Sequence, residues 1–348
     1  MSASGKTLKS VAELIETGLV AHSASADLDA VAGRYAIAIT PAMQALIDHD
    51  DPNDPIAAQF VPTAEELVQR PEERADPIGD HAHSPVEGIV HRYPDRVLLK
   101  AVHSCPVYCR FCFRREMVGP DGDGTLAGEA LEAALAYIND HSEIWEVIFT
   151  GGDPLVLSPR RLRSILERLA TMDHVKIVRF HTRVPVADPA RVTAELVDAL
   201  QASGKTTYVA IHANHPRELT GDARAAIKQL HAAGIALVSQ TVLLKGVNDD
   251  AGILAELMRT FVELRIRPYY LHHPDLAPGT GHFRLSISEG QAIVAALHGR
   301  LSGLCQPTYV LDIPGGHGKA PIAAAMIERD DDTHRVTDFK GHIHTYRD

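Results

Sequence analysis

Three of the four cysteines fall within eight positions, Cys105-Pro-Val-Tyr-Cys109-Arg-Phe-Cys112, a C-x3-C-x2-C triplet. A closed tetrahedral zinc site asks for four ligands, usually as two pairs, and the remaining cysteine, Cys305, stands alone. Three thiolates suit a four-iron, four-sulfur cubane, in which one ligand per iron leaves the fourth iron open to an exogenous chelate. Thr150-Gly151-Gly152-Asp153-Pro154 is a second candidate, because two residues without Cβ let a backbone approach a ligand closely. Arg92-Tyr93-Pro94-Asp95-Arg96 carries two guanidinium forks of the kind that match phosphate oxygens. Lys319 ends the glycine-rich run Pro314-Gly315-Gly316-His317-Gly318-Lys319.

These residues need a scaffold, and the chain supplies a repeating one. From Val97 onward short β-branched runs alternate with amphipathic stretches. The pattern predicts strands at 97–102, 146–150, 176–181, 207–212, 236–243 and 267–271, with helices at about 128–141, 158–171, 188–202, 221–233 and 250–264. Six β/α steps predict a parallel sheet, either open or curled into a barrel. Cys105, the Gly151-Gly152-Asp153 turn, Arg183, His212, Gln240 and Asp275 fall at or just beyond the ends of six successive strands. Convergence of many strand ends on one mouth is barrel geometry, whereas an open sheet gathers its site at one crevice. Residues 1–88 read as a helical N-terminal region and linker, with helical periodicity at 11–21 and 41–47. Residues 89–312 read as the barrel, and 313–348 as a C-terminal loop with a closing strand.

Composition narrows the chemistry. A formal charge of −11 gives no basic footprint for nucleic acid or anionic lipid and favours small substrates. The uncharged apolar runs are shorter than the ~18 residues of a membrane helix. The N-terminus lacks the pattern of a secretory signal, so a cytoplasmic protein with reduced thiols is expected. Cys305 is expected to pack as a small apolar residue.

The segments DDPNDP, HRYPDRVLLK, CPVYCRFCFRRE, FTGGDPL, HTRVPV, HANHPRE, QTVLLKGVND, RPYYLHHPDL, HFR and PGGHGK span most of the chain from Ile39 to Tyr346. Together they resemble the lysine 2,3-aminomutase family of the radical S-adenosylmethionine (radical SAM) superfamily. The resemblance implies a partial (β/α)6 barrel of the α/β class, a [4Fe–4S] cluster on Cys105, Cys109 and Cys112, S-adenosylmethionine and pyridoxal 5′-phosphate (PLP). The implied reaction moves an amino group between neighbouring carbons.

Residue by residue, the resemblance assigns Gly151, Gly152, Asp153, His212 and Gln240 to S-adenosylmethionine. Arg92, Tyr93 and Arg96 fall to PLP, and Lys319 to its aldehyde, where a Schiff base needs a neutral amine. Arg114 is matched to the substrate carboxylate. Asp275 and Asp312 are matched to the far ammonium of lysine, since two carboxylates in one pocket raise each other's pKa unless a cation joins them. His317 stands where the free-lysine mutases usually have glycine, and a positive φ there would strain the loop. The implied partners are lysine and a reducing donor such as flavodoxin or ferredoxin, with room for a homo-oligomer. A shorter branch makes β-lysine for elongation factor P. The early end after Lys319 and Phe113 fit that branch, whereas Asp312 and PGGHGK fit the free-lysine enzymes. A non-catalytic iron–sulfur or zinc protein is the rival from another class, and it has no need of Lys319, Arg114 or the aspartates.

Overall fold

The computed structural model describes residues 5–119, 124–330 and 333–347. Nine strands form one sheet in strict chain order: β1 (Ile89–Tyr93), β2 (Arg96–Val102), β3 (Glu146–Gly151), β4 (Ile177–Thr182), β5 (Thr206–His212), β6 (Ala236–Val242), β7 (Arg267–His272), β8 (Thr308–Asp312) and β9 (Lys319–Pro321). Strands β2 to β8 are parallel, and an antiparallel strand flanks them at each edge. Parallel neighbours need crossovers, which the helices provide.

Alternation along the strands sorts side chains into two layers. In β4, Val178 and Phe180 join the hydrophobic core, while Arg179 and His181 line an inner cavity. That cavity, of about 260 Å³, is walled by residues from β1 through β9, so the sheet is curled. Its edges meet without pairing as strands: the Tyr93 hydroxyl on β1 accepts from the Lys319 backbone N–H on β9 at 2.9 Å. The result is a partial barrel of α/β class with its mouth at the C-terminal strand ends.

The crossover helix Pro159–Ala170 shows how the sequence builds the outer layer. The Ser158 hydroxyl accepts from the Arg161 N–H, proline occupies the first turn, and Leu162, Ile165, Leu166 and Leu169 are buried at helical spacing. Burial of each such side chain contributes about 1.5–3 kcal/mol. The helix expected at 188–202 is broken instead. A short helix at Val184–Ala187 and a turn at Pro189–Arg191 precede Ala194–Leu200, because Pro189 starts a new turn and Thr193 caps the next one. The expected 11–21 helix stops at Glu16, before Gly18 at φ 74°, and the 41–47 helix is limited to Pro41–Gln44.

The N-terminal elements are continuous with the barrel core, since Leu8, Val11, Leu14, Leu28, Ile39 and Met43 belong to the same buried cluster as the strands. Beyond β9, strands β10 (Ile327–Asp330), β11 (Thr333–Thr337) and β12 (Ile343–Tyr346) form a small antiparallel sheet. Cys305 is buried in the main core, as an apolar side chain would be. Among the described residues no helix is long and apolar enough to cross a membrane.

Candidate active site

Cys105, Cys109 and Cys112 lie on the loop that leaves β2, and all three line the cavity as free thiols. Burial raises each thiol pKa, and Cys112 is pushed up to about 11 by burial and by its neighbour Cys109. The Arg183 guanidinium opposes this at Cys109, with Nη1 3.3 Å from Sγ. Among the described residues no three His, Cys, Asp or Glu side chains are close enough to share one metal ion. Thiols that each serve a separate iron of a cubane are spaced more widely than three on a single ion.

Gly151 and Gly152 belong to the same wall, but their lack of Cβ serves the protein first. A Cβ on Gly152 would lie 2.2 Å from the Ser104 carbonyl oxygen, and one on Gly151 2.5 Å from the Val102 carbonyl oxygen. The two glycines therefore let the β3 turn press against the base of the cysteine loop. Asp153 is likewise occupied: its buried carboxylate accepts from Thr182 Oγ1 (2.7 Å) and from the N–H groups of Arg183 (2.7 Å), Leu155 (3.0 Å) and Val184 (3.2 Å). It ties the ends of β3 and β4 together while lining the cavity.

The opposite wall carries Lys319. Lys319 and Asp312 are register partners in the β8–β9 pair, and Nζ donates to Asp312 Oδ1 at 2.5 Å. Asp312 Oδ2 lies 3.1 Å from His272 Nδ1. Burial would raise the Asp312 carboxyl, but His272 and Lys319 hold it well below the ordinary range. Asp275 lines the cavity with no hydrogen bond or ion pair among the described residues, and burial together with the nearby Asp312 pushes its pKa up to about 8. Asp312, expected to face only substrate, is thus already engaged by Lys319, and Asp275 is the open carboxylate.

Tyr93 holds the lysine loop through the hydrogen bond above, while the Arg96 guanidinium stacks 3.8 Å from the centre of its ring. Arg92 and Arg114 do not project freely. Arg92 Nη2 donates to the Ile78 carbonyl (2.6 Å) and to Asp80 Oδ1 (3.1 Å). Arg114 forks onto Asp80 Oδ2 through Nε (3.1 Å) and Nη2 (2.9 Å), and places Nη1 3.2 Å from Thr150 Oγ1.

Between the two walls, His212 Nε2, His181 Nε2 and Gln240 Oε1 are buried without a hydrogen-bond partner among the described residues, while Gln240 Nε2 meets His272 Nε2 at 3.0 Å. Burial, reinforced by nearby Arg183, pushes His212 down to about 3, and His181 is held neutral by burial and surrounding positive charge. His317 does not take a positive φ; the left-handed conformations fall on Gly315, Gly316 and Gly318, which removes the strain expected of a histidine there. Asp80, His181 and the Gln59–Glu218 pair that fixes Arg183 escape sequence reading. Asp80 meets its two arginines across 12 and 34 positions and Gln59 meets Arg183 across 124, both outside the spaced segments, whereas His181 and Glu218 stand within HTRVPV and HANHPRE with no local signal of their role.

A radical SAM superfamily model matches residues 100–258. Over 311 residues the chain is 41% identical to the L-lysine 2,3-aminomutase of Clostridium subterminale, covering 89% of this chain and 74% of that protein. It belongs to the lysine 2,3-aminomutase family. The corresponding protein of Acetoanaerobium sticklandii is 40% identical over 89% of this chain and 75% of its own length. A glutamate 2,3-aminomutase of Clostridioides difficile is 36% identical over 84% of this chain and 68% of its own. Membership of the aminomutase family implies a [4Fe–4S] cluster, S-adenosylmethionine and PLP. The residues fit these groups. Three thiols face a common space, and the buried orphan atoms of His212, Gln240 and His181 find no partner among the described residues.

Proposed function

We propose that the protein moves the α-amino group of L-lysine to the β-carbon, producing β-lysine. The family includes a glutamate enzyme, so the choice of amino acid has to come from the cavity. The observation that carries the lysine reading is Asp275, an unpaired carboxylate beside Asp312 in the cavity that also holds Lys319 and the three cysteines. An acidic substrate side chain would meet like charge there, whereas an ammonium completes the arrangement.

Cys105, Cys109 and Cys112 would hold the cluster, and Lys319, Tyr93, Arg92 and Arg96 the PLP. His212, Gln240 and the Gly151–Gly152 wall would face S-adenosylmethionine. When bound, these groups supply a reactive carbon-centred radical and an electron sink for the migrating nitrogen, with electrons from a flavodoxin- or ferredoxin-type donor. The protein's own residues position and protect. Arg114 offers Nη1 to the substrate carboxylate, Asp275 draws the side-chain ammonium to the far end, and Asp312 keeps the Lys319 amine at the cavity wall. The curled sheet and the N-terminal segments exclude water from the reacting atoms.

The test is anaerobic incubation of the reconstituted protein with S-adenosylmethionine, PLP, a reductant and L-lysine. Formation of β-lysine, with a borohydride-reduced phosphopyridoxyl group mapped to Lys319, supports the reading. Unchanged lysine and no adduct would leave a non-catalytic iron–sulfur protein.

A further inference from the structure

Residues 78–83 form a strap that touches Arg92, Arg114 and the glycine-rich loop that leads to Lys319. The Ile78 carbonyl accepts from Arg92. Gly79, at φ 68°, packs so closely on the glycine-rich loop that a Cβ there would lie 2.5 Å from the Gly316 nitrogen. His83 Nε2 lies 3.1 Å from the Gly316 carbonyl oxygen. Between them stands Asp80, fully buried, with one oxygen on Arg92 and the other on Arg114. The Asp80 backbone is pinned in turn, since Asp76 Oδ1 accepts from its N–H at 2.8 Å and Ser84 Oγ donates to its carbonyl at 2.8 Å.

A single carboxylate therefore fixes two arginines that the proposed function assigns to different ligands. Arg92 and Arg114 converge with Lys100 on this one anion, which holds against the cost of burial because all three cations surround it. Without it, three positive groups would face one another in a dry pocket and turn away. With it, each guanidinium keeps one orientation and lends its remaining donors to the cavity.

We propose that Asp80 is a positioning residue that couples two subsites, holding Arg92 for the phosphate of PLP and Arg114 for the carboxylate of the amino-acid substrate. The inference rests on the aminomutase reading and deepens it. It gives the segment between the N-terminal helices and the barrel a task in assembling the site.

The test compares Asp80→Asn, Asp80→Glu and Arg114→Met in the reconstituted protein. PLP affinity is read by equilibrium dialysis, and lysine affinity by the change in pyridoxal absorbance on titration. Asp80→Asn is expected to weaken both ligands by about tenfold or more, the scale of a lost charge-assisted hydrogen bond. Arg114→Met is expected to weaken lysine alone. Asp80→Glu should restore part of both affinities, and iron content should stay near wild type in all three, whatever the loss in melting temperature from breaking a buried pair. The proposal is overturned if Asp80→Asn binds both ligands within about twofold of wild type, a change too small for such a bond. It is also overturned if both losses merely follow a fall in iron content. Wild-type protein that binds neither PLP nor lysine would sink the function reading itself, a result distinct from either.

Discussion

Lys319 Nζ lies 2.5 Å from Asp312 Oδ1, across the last antiparallel step of the sheet. The pair makes the lysine amine and the carboxylate parts of one unit: Asp312 stays ionised because Lys319 and His272 are there, and Lys319 stays at the cavity wall because Asp312 is there. Lys319→Ala should therefore do two things. It should abolish the borohydride-trapped PLP adduct, and it should raise the pKa of Asp312 by removing its strongest cation. The adduct is checked by mass spectrometry of a peptide digest, and a trapped pyridoxyl group on any other lysine would contradict the assignment.

Asp275 sets a pH dependence whose sign follows from its raised pKa of about 8. Only the ionised carboxylate attracts an ammonium, and lysine's own side chain stays charged below about pH 10. Lysine affinity should accordingly fall as pH drops from 9 to 6, with a proton released on binding. Asp275→Asn should raise the KM for lysine about 10–100-fold and flatten this profile, as expected for losing a hydrogen bond to a charged group. For the empty protein the linkage runs the other way. The folded-state pKa exceeds the unfolded one, so the contribution of Asp275 to stability is fully present below about pH 4 and lost as pH rises through 8. Asp275→Asn should then gain more melting temperature relative to wild type at pH 9 than at pH 5.

The two classes of cysteine separate cleanly. Cys109→Ala should lose most of the bound iron and sulfide after anaerobic reconstitution, because one corner of the cluster would lack its ligand. Cys305→Ala, at a buried position in the main core far along the sequence, should retain them and cost only the stability of a smaller side chain. Iron and sulfide assays on both variants decide the matter, and equal iron loss would contradict the assignment.

Much of this was legible in the sequence where a signal is local. The β/α alternation marks β2 to β7 within a residue or two, because each strand is a short β-branched run and each crossover helix has its own apolar face. The cysteine triplet needs no fold to be recognised. What was hidden depends on tertiary contact. β8 is short and is not among the expected strands, and the place of the closing strand β9 is set by its pairing with β8 across the glycine-rich loop. Asp80 occupies a stretch with no period, and its meaning comes from two arginines delivered by β1 and by the cysteine loop. Asp153 looks like a ligand residue in a glycine turn, yet three of its four protein donors appear only once β3 and β4 lie side by side, the fourth being the local Leu155 N–H.

The same reversal at Gly152 gives the last prediction. The sequence suggests that this glycine clears space for a ligand, whereas in the fold a Cβ there would lie 2.2 Å from the Ser104 carbonyl oxygen, next to Cys105. That neighbour is backbone and cannot rotate away as the tip of a side chain would. Gly152→Ala must therefore push the β3 turn and the cysteine loop apart, at a cost of about 1–3 kcal/mol for overpacking a filled region. The displaced element carries Cys105, a proposed cluster ligand, so the loss should appear in iron retention as well as in stability. We expect a lower melting temperature and faster iron release to a chelator. Gly303→Ala is the matched control, since Gly303, like Gly152, has no positive φ and nothing lies within 4 Å of an added Cβ. It should keep both its melting temperature and its iron. Equal iron release from both variants would mean that the contact with Ser104 does not govern the cluster loop.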